Sequence, residues 1–270
     1  MTDFQRIIKY IAMILAIFLI IMIFGGILSA LSLFTYVFDK SSDSVHDLSS
    51  QSFSRDYTEL DIEISAADFI IEEGDKFSID SNHKYLKVEE KNNTLKIYDT
   101  KRLFSVNDES YTVILTVPKD TVFNEVSIET GAAKLSVDAL TTYDLDLKLG
   151  AGLVTLTDVI VNTETDIEGG AGKLTIENCS MSNLSLDIGV GECELEAKLF
   201  GNSELNCGVG SANFTLVETD DVTYRVEVEK ALGSVKVDGK NLDKATTFGN
   251  GNSKVDINCG VGDVKIDLIK

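Results

Sequence analysis

The chain has 270 residues, with 24 Lys and Arg against 44 Asp and Glu, so its net charge is −20. This acidity argues against nucleic-acid binding, because phosphate recognition needs a basic surface. The two histidines, His46 and His83, lie far apart in sequence and leave little material for histidine-based catalysis or a zinc site. We therefore predict no catalytic residues, no metal site and no cofactor.

The N-terminal region contains a long apolar segment. No charged residue occurs in the 29 positions from Tyr10 to Phe38, and about 20 apolar residues suffice to cross a bilayer as a helix. Arg6 and Lys9 precede the segment, and acidic residues follow it. Because positive flanks stay in the cytoplasm, we predict a single-pass anchor in the cell membrane, with a cytoplasmic N-terminus and an extracellular C-terminal domain.

A cleaved signal peptide is the alternative, since Ala30-Leu31-Ser32 resembles a cleavage site. The apolar run is longer than the usual signal-peptide core of about 7–15 residues, which favours a retained anchor. The predicted organisation is a cytoplasmic flank at 1–9, a transmembrane helix at 10–38, a Ser-rich linker at 39–52 and an exported domain at 53–270. Residues 39–270, the linker and the exported domain together, have 22 basic and 43 acidic residues, a net of −21.

A glycine signature recurs through the C-terminal half of the chain. Its instances begin at Gly131, Gly150, Gly170, Gly189, Gly208, the degenerate Ala231, and Gly260. The first five lie 19 or 20 residues apart, and the last two intervals widen to 23 and 29. A fixed period of this size indicates stacked structural repeats.

Apolar and polar residues alternate on both sides of each signature. Around Gly150, for example, Leu145, Leu147, Leu149, Val154 and Leu156 alternate with polar residues. Period-two alternation interrupted by glycines predicts two half-buried strands per repeat, joined by a tight bend. The glycines expected at these bends are Gly131, Gly150, Gly152, Gly170, Gly172, Gly189, Gly191, Gly208, Gly210, Gly233, Gly260 and Gly262.

The predicted fold is therefore all-β: a parallel, single-stranded β-solenoid with coils of about 19–20 residues, preceded by the transmembrane helix. A β-sandwich also has short alternating strands, but it gives no reason for a constant period. Residues 53–126 are predicted to form irregular entry coils, and 127–270 the Gly-x-Gly repeats. The last strand, Asp263–Ile269, is expected to be an exposed edge that Lys265, Asp267 and Lys270 protect.

The order of the segments carries a family resemblance. LKVEEKNNTLKI at 86–97 is followed by YTVILTVPKDT at 111–121, then by VSIETGAAKLSV at 126–137 and the Gly-Ala-Gly repeats. This order resembles the bacterial toastrack, or "putative adhesin", β-strand-repeat family, over about residues 53–270. The resemblance implies a right-handed, β-helix-like surface domain without an established active site, often membrane-anchored and associated with envelope-stress signalling proteins. The decay of the signature at Gly131 and Ala231 suggests irregular first and sixth coils.

The four cysteines occupy apolar columns of the repeat. Cys193 shares a column with Leu135, and Cys207 and Cys259 share one with Leu149. This placement, like that of Cys179, favours buried free thiols. A Cys207–Cys259 disulfide is the alternative, but it requires coils that we expect to be more than one stacking step apart.

Acidic residues occupy two outward columns. One contains Asp146, Asp166, Glu204, Glu227 and Asp256, and the other contains Glu129, Glu168, Asp187 and Glu229. A solvated acidic face is the simpler interpretation, and loose association of divalent cations is the alternative. Acids spread along a column do not resemble the carboxylate pair of a glycosidase.

A basic and apolar segment, Lys101, Arg102, Leu103 and Phe104, is a candidate contact with a partner or with the membrane, although a hairpin loop explains it as well. We predict that the chain is not an enzyme. It is expected to be a cell-surface interaction module that binds membrane or envelope proteins as an accessory of stress sensing. Adhesion to wall polymers or surfaces is the second possibility, and action on polysaccharides a minor third. The sequence does not determine the oligomeric state.

Overall fold

A computed structural model describes residues 48–100, 111–229, 232–242 and 245–270. All of these residues belong to one compact unit, His46–Lys270. Among them there is no helix long and apolar enough to cross a bilayer. The predicted anchor with Arg6 and Lys9, and the predicted partner loop with Lys101 to Phe104, lie outside the described residues.

The described residues form 17 strands of one sheet. The first seven are β1 (Ser49–Ser52), β2 (Glu59–Ile64), β3 (Asp68–Gly74), β4 (Ser78–Ser81), β5 (Leu86–Lys91), β6 (Thr94–Asp99) and β7 (Thr112–Pro118). Five long strands follow: β8 (Val122–Asp138), β9 (Thr141–Thr157), β10 (Ile160–Ser182), β11 (Leu184–Phe200) and β12 (Asn202–Val217). The last are β13 (Tyr224–Glu229), β14 (Leu232–Val237), β15 (Lys240–Asn241), β16 (Thr246–Gly249) and β17 (Ser253–Ile269).

The long strands pair in parallel with their sequence neighbours. β8 pairs with β9, β9 with β10, β10 with β11, and β11 with β12, each in a register that aligns equivalent repeat positions. The all-β prediction is confirmed for the described residues, and the parallel pairing is consistent with a solenoid. The two short strands predicted on either side of each bend are, in these five coils, one continuous strand, because the residues at the bend also pair with the neighbouring coil.

The coils at both ends are not stacked in chain order. At the N-terminal end, β2 lies between β6 and β8, and β3 lies between β7 and β8. At the C-terminal end, β17 pairs with β12 on one side and with β13 and β14 on the other. The prediction that the final strand is an edge is therefore wrong, because β17 is inserted between coils that precede it in sequence.

Antiparallel strands cover the two outermost coils. β4 and β5 pair with β7 and β6, while β15 and β16 pair with β14 and β13. β1 extends this cover by pairing with β4. The sequence places Ser49–Ser52 in the linker, whereas in the structure these residues form β1. The backbone of β1 pairs with β4, and its four side chains are exposed. The first Gly-x-Gly coil, β8, is regular. The described residues of the sixth coil form β13 and β14, and residues 230–231 between them lie outside the described ranges.

The core consists of ladders of aliphatic side chains that stack from coil to coil. One ladder contains Ile128, Leu147, Ile167, Leu186, Leu205, Ile257 and Val228, all buried. Each fully buried side chain of this kind contributes about 1.5–3 kcal/mol. The strict alternation of the sequence is thus explained by one side of each long strand facing this core.

Asp68, at the start of β3, is a partly buried carboxylate on the side of the strand that faces away from this core, and its register partners are Thr112 and Lys134. Its Oδ1 has no hydrogen-bond partner among the described residues, and its Oδ2 lies 3.8 Å from Lys134 Nζ. Burial raises the pKa of Asp68, against a smaller opposing effect of Lys134. A carboxyl group whose pKa is higher in the folded state costs stability when it is ionised, and this cost disappears as the pH falls through that pKa.

Replacing Asp68 with asparagine should therefore raise the melting temperature at pH 7, by about 2–4 °C. The difference from the wild type should shrink as the pH is lowered through the raised pKa, because the wild-type carboxyl becomes neutral. Thermal unfolding followed by circular dichroism at several pH values measures this effect. Asp138→Asn, at an exposed position of β8, is the control and should leave the melting temperature at pH 7 close to that of the wild type. A lower melting temperature for Asp68→Asn at pH 7 would contradict the prediction.

Candidate functional site

An open groove of about 870 Å³ runs across the coils beside the glycine bends. Its floor is one ladder of register partners, called here the floor ladder: Thr130, Leu149, Gly169, Ile188, Cys207 and Cys259. Six positions at a strand spacing of about 4.8 Å span about 24 Å. This length matches about seven residues of an extended peptide at about 3.3 Å per residue.

The floor is mainly apolar and half-buried. Leu149, Ile188, Cys207 and Cys259 all pack against the edge of the core. Gly169 leaves room for its neighbour, since a Cβ at this position would lie 2.6 Å from Ile188 Cδ1. The floor therefore offers apolar contacts that remain accessible from the groove.

One side of the groove is acidic. This side, called here the rim ladder, contains Glu129, Lys148, Glu168, Asp187, Asn206, Asn258 and Glu229. It carries four carboxylates and one lysine, and the lysine Nζ donates a hydrogen bond to Asp146 Oδ2 at 2.8 Å. That carboxylate, together with Glu168 and Asp166, raises the pKa of Lys148.

The rim ladder differs from the predicted acidic column because one lysine and two asparagines stand among its acidic residues. Lys148 stands between Glu129 and Glu168, and Asn206 and Asn258 replace acids further along. Asn258 Nδ2 donates to Asn206 Oδ1 at 3.0 Å. These residues reduce the repulsion that directly stacked like charges would cause, so the acidic ladder is tolerated and still retains a net negative charge.

The second predicted acidic column is also interrupted. Ser185 separates Asp166 from Glu204 in the stack. Lys254 Nζ contacts Asp256 Oδ2 at 2.9 Å and Glu227 Oε2 at 3.3 Å. Within the described ranges no cluster of three or more His, Cys, Asp or Glu is suited to hold a metal ion.

The first glycines of five signatures, Gly150, Gly170, Gly189, Gly208 and Gly260, line the other side of the groove. Where a signature has two glycines, the two have different roles. The first glycine permits close stacking: a Cβ on Gly189 would lie 2.6 Å from the carbonyl oxygen of Gly170. The second glycine also adopts a positive φ, as Gly210 does at 147°. Gly131, Gly150, Gly170, Gly208 and Gly260 take the first role, and Gly172, Gly191, Gly233 and Gly262 the second. Gly152 has the close contact without the positive φ.

A second bend in several coils escaped the sequence analysis. Ala139, Asp158 and Asn178 each follow the start of their signature by eight residues and have φ near 53°. Asn and Asp tolerate this left-handed conformation, and Asn178 donates a side-chain hydrogen bond to Asp158 Oδ1. Their common spacing from the signature could have predicted this bend. No sequence motif marks it, because the three positions hold different residue types.

The residues between the paired glycines form an apolar ladder of their own. It contains Ala132, Ala151, Ala171, Val190, Val209, Val261 and Leu232. Val261 and Leu232, at its C-terminal end, are 48% and 76% exposed. The bend region thus presents accessible apolar side chains in addition to the groove floor.

The cysteines were only partly anticipated. Cys179 and Cys193 are buried, as expected, whereas Cys207 and Cys259 are half-buried in the groove floor. The expectation that Cys207 and Cys259 lie more than one coil apart is wrong. They are direct register partners, because β17 is inserted next to β12.

The fold and groove define a class of protein: a parallel, solenoid-like β-domain with an elongated, acidic-sided surface groove. The family model described as Toastrack DUF4097 matches residues 57–241. The chain therefore belongs to the Toastrack DUF4097 family, which confirms the resemblance found in the sequence. Strand β17 lies beyond the matched range.

Solved structures with a similar arrangement include three bacterial proteins. One is a "putative adhesin" from Bacteroides fragilis, with 14% identity, a TM-score of 0.46 and coverage of 83% of this chain and 98% of its own. Another is a "putative cell adhesion protein" from Clostridium sporogenes, with 14% identity, a TM-score of 0.39 and coverage of 82% and 99%. The third is a "putative lipid binding protein" from Parabacteroides distasonis, with 15% identity, a TM-score of 0.39 and coverage of 84% and 98%. No curated protein matches the chain.

Proposed function

We propose that the chain is a membrane-anchored interaction module of the cell surface, whose right-handed β-solenoid binds extended, cationic segments of other envelope proteins. The observation that carries this proposal is the groove, which combines a half-buried apolar floor with a rim ladder of four carboxylates and one lysine. An extended peptide with alternating apolar and basic side chains matches both surfaces, since successive side chains of a strand point to opposite faces.

The charge-free segment at 10–38 supports the anchoring part of the proposal. An anchored domain with a peptide-binding groove is suited to holding a second membrane protein close to it. An accessory of envelope-stress sensing would have to hold its sensor in this way. Loss of the protein without any change in envelope-stress output would count against this role. Adhesion to wall polymers is the alternative, and it is disfavoured because many bacterial wall polymers are anionic and residues 39–270 have a net charge of −21.

The groove can be tested with the full-length chain in zwitterionic vesicles and a fluorescent seven-residue peptide of alternating Lys and Leu. The double variant Glu168→Lys/Asp187→Lys reverses two adjacent rim charges on β10 and β11. We expect it to weaken binding at least about tenfold, which corresponds to about 1.4 kcal/mol. Binding to the wild type should also weaken as salt is raised, because exposed charges are screened.

The matched control is Glu177→Lys/Glu196→Lys. It makes the same charge change on the same two strands, at exposed positions outside the groove. We expect its affinity to stay within about twofold of the wild type. Equal losses in both variants, or equal binding of a peptide in which Glu replaces Lys, would show that the groove does not recognise a cationic segment.

A further inference from the structure

The pair Cys207 and Cys259 is positioned for chemistry that the groove's binding role does not require. The two residues are direct partners across the parallel pair of β12 and β17. Neighbouring strands lie about 4.7–4.9 Å apart, which is within the 4.4–6.8 Å that separates the Cα atoms of disulfide-bonded cysteines. Both side chains face the same groove, so their sulfur atoms lie on one side of the sheet.

The two thiols also interact with each other. A hydrogen bond between them raises the pKa of Cys207 and lowers the pKa of Cys259. The thiol of Cys207 thus donates to, and stabilises, a thiolate on Cys259. Since the thiolate is the reactive form of cysteine, the pair contains a nucleophile together with a second thiol that can resolve its reaction.

The other two cysteines lack these properties and serve as internal controls. Cys179 and Cys193 are only 2% and 1% exposed. Burial raises the pKa of Cys179 to about 11 and that of Cys193 to about 12, so both remain thiols at neutral pH. Reactivity is therefore concentrated in the half-buried pair on the groove floor.

We propose that Cys207 and Cys259 form a reversible disulfide that locks the inserted strand β17 onto β12. The oxidant is a disulfide, either of a thiol oxidoreductase or of a small thiol such as glutathione. The Cys259 thiolate attacks one sulfur of this disulfide, forming a mixed disulfide and releasing one thiolate, which takes up a proton. The Cys207 sulfur then loses its proton and attacks Cys259 Sγ, releasing the second thiol. Two protein thiols are oxidised, and one disulfide is reduced to two thiols.

The position of the pair determines what this bond does. It closes a loop that contains β13, β14, β15 and β16, the whole outer C-terminal coil and its cover. Strand β17 must enter between β12 and that coil, and the bond prevents it from leaving. Relaxed disulfides have Cβ atoms about 3.5–4.5 Å apart, slightly closer than parallel partners at the strand spacing, so the bridge is expected to be reducible rather than permanent. An extracytoplasmic location provides the oxidising environment it needs.

The test uses the full-length chain in detergent, treated with oxidised glutathione and then with dithiothreitol. We expect two of the four thiols to disappear on oxidation and to return on reduction. Mass spectrometry of non-reduced peptides should identify one bond, Cys207–Cys259, within a single chain. The melting temperature should rise by about 10 °C on oxidation, as a closed loop of this length predicts, and fall back on reduction.

Cys207→Ser and Cys259→Ser should each abolish the bond and the rise in melting temperature, whereas Cys179→Ala should retain both. A second measurement needs no variant: a trivalent arsenical such as phenylarsine oxide should bind one equivalent and protect Cys207 and Cys259 from alkylation. Four persisting thiols, a bond involving Cys193, a disulfide between two chains, or a bond without a rise in melting temperature would each overturn the proposal. This chemistry does not depend on what the groove binds, so its test is separate from that of the groove.

Discussion

Replacing Gly210 with alanine should destabilise the domain by about 3–5 kcal/mol. A Cβ at this position would lie 1.8 Å from the carbonyl oxygen of Gly191 and 2.8 Å from its carbonyl carbon. These atoms belong to the backbone of the neighbouring coil, so relief of the clash requires the coils to separate. The positive φ of 147° adds strain for any residue with a side chain. Urea unfolding at equilibrium measures the loss.

Gly239→Ala is the matched control for this substitution. Gly239 also has a positive φ, at 75°, but a Cβ there would meet nothing within 4 Å. The Gly239→Ala substitution should lower the free energy of unfolding by only about 1 kcal/mol, because it adds backbone strain without a clash. If Gly210→Ala and Gly239→Ala lowered the free energy of unfolding equally, close stacking of the coils would not explain why position 210 needs glycine.

Removing residues 253–270 should unfold the C-terminal coils rather than trim one coil from the end. Val255, Ile257, Val264 and Ile266 of β17 are almost fully buried, and together they contribute roughly 6–12 kcal/mol. This is comparable to the whole stability of a typical domain, about 5–15 kcal/mol. Strands β13 and β14 would also lose their parallel partner, since both pair with β17.

Hydrogen exchange of the amides in Tyr224–Glu229 distinguishes the two outcomes. We expect these amides to lose protection in the truncated chain. Removal of Lys270 alone, which is exposed and lies outside β17, is the control and should leave their protection unchanged. Retained protection after the longer truncation would mean that β13 can stack directly on β12, contrary to the observed insertion.

The groove could be predicted from the sequence in part. The glycine columns and the acidic column of Glu168 and Asp187 were recognised, and they form two sides of the groove. The cavity itself was not predicted, because its depth depends on how the floor residues, such as Ile188 over Gly169, fill the space beside the bends. The role of Lys148, Asn206 and Asn258 was also not predicted. These residues reduce charge repulsion only when the coils are stacked and they lie between acidic residues of neighbouring coils.

The sequence alone determined which side of each strand is buried. Alternation such as Leu145, Leu147 and Leu149 has a period of two, and this local property decides the face of every side chain before any coil is stacked. The 19–20-residue period and the paired glycines then determined that the coils are equivalent and bend at the same place. Both features act within one repeat or between identical positions of repeats, so they can be read without a structure.

Only the tertiary structure decided the order in which the coils stack. Every coil presents the same apolar columns to its neighbour, so the local pattern is satisfied equally well by any order. In the structure, β2 lies between β6 and β8, and β3 lies between β7 and β8. Strand β17 lies between β12 and the coil of β13 and β14. That choice brings Cys207 next to Cys259 although 51 residues separate them in sequence. Pairing between distant segments depends on the packing of the whole domain.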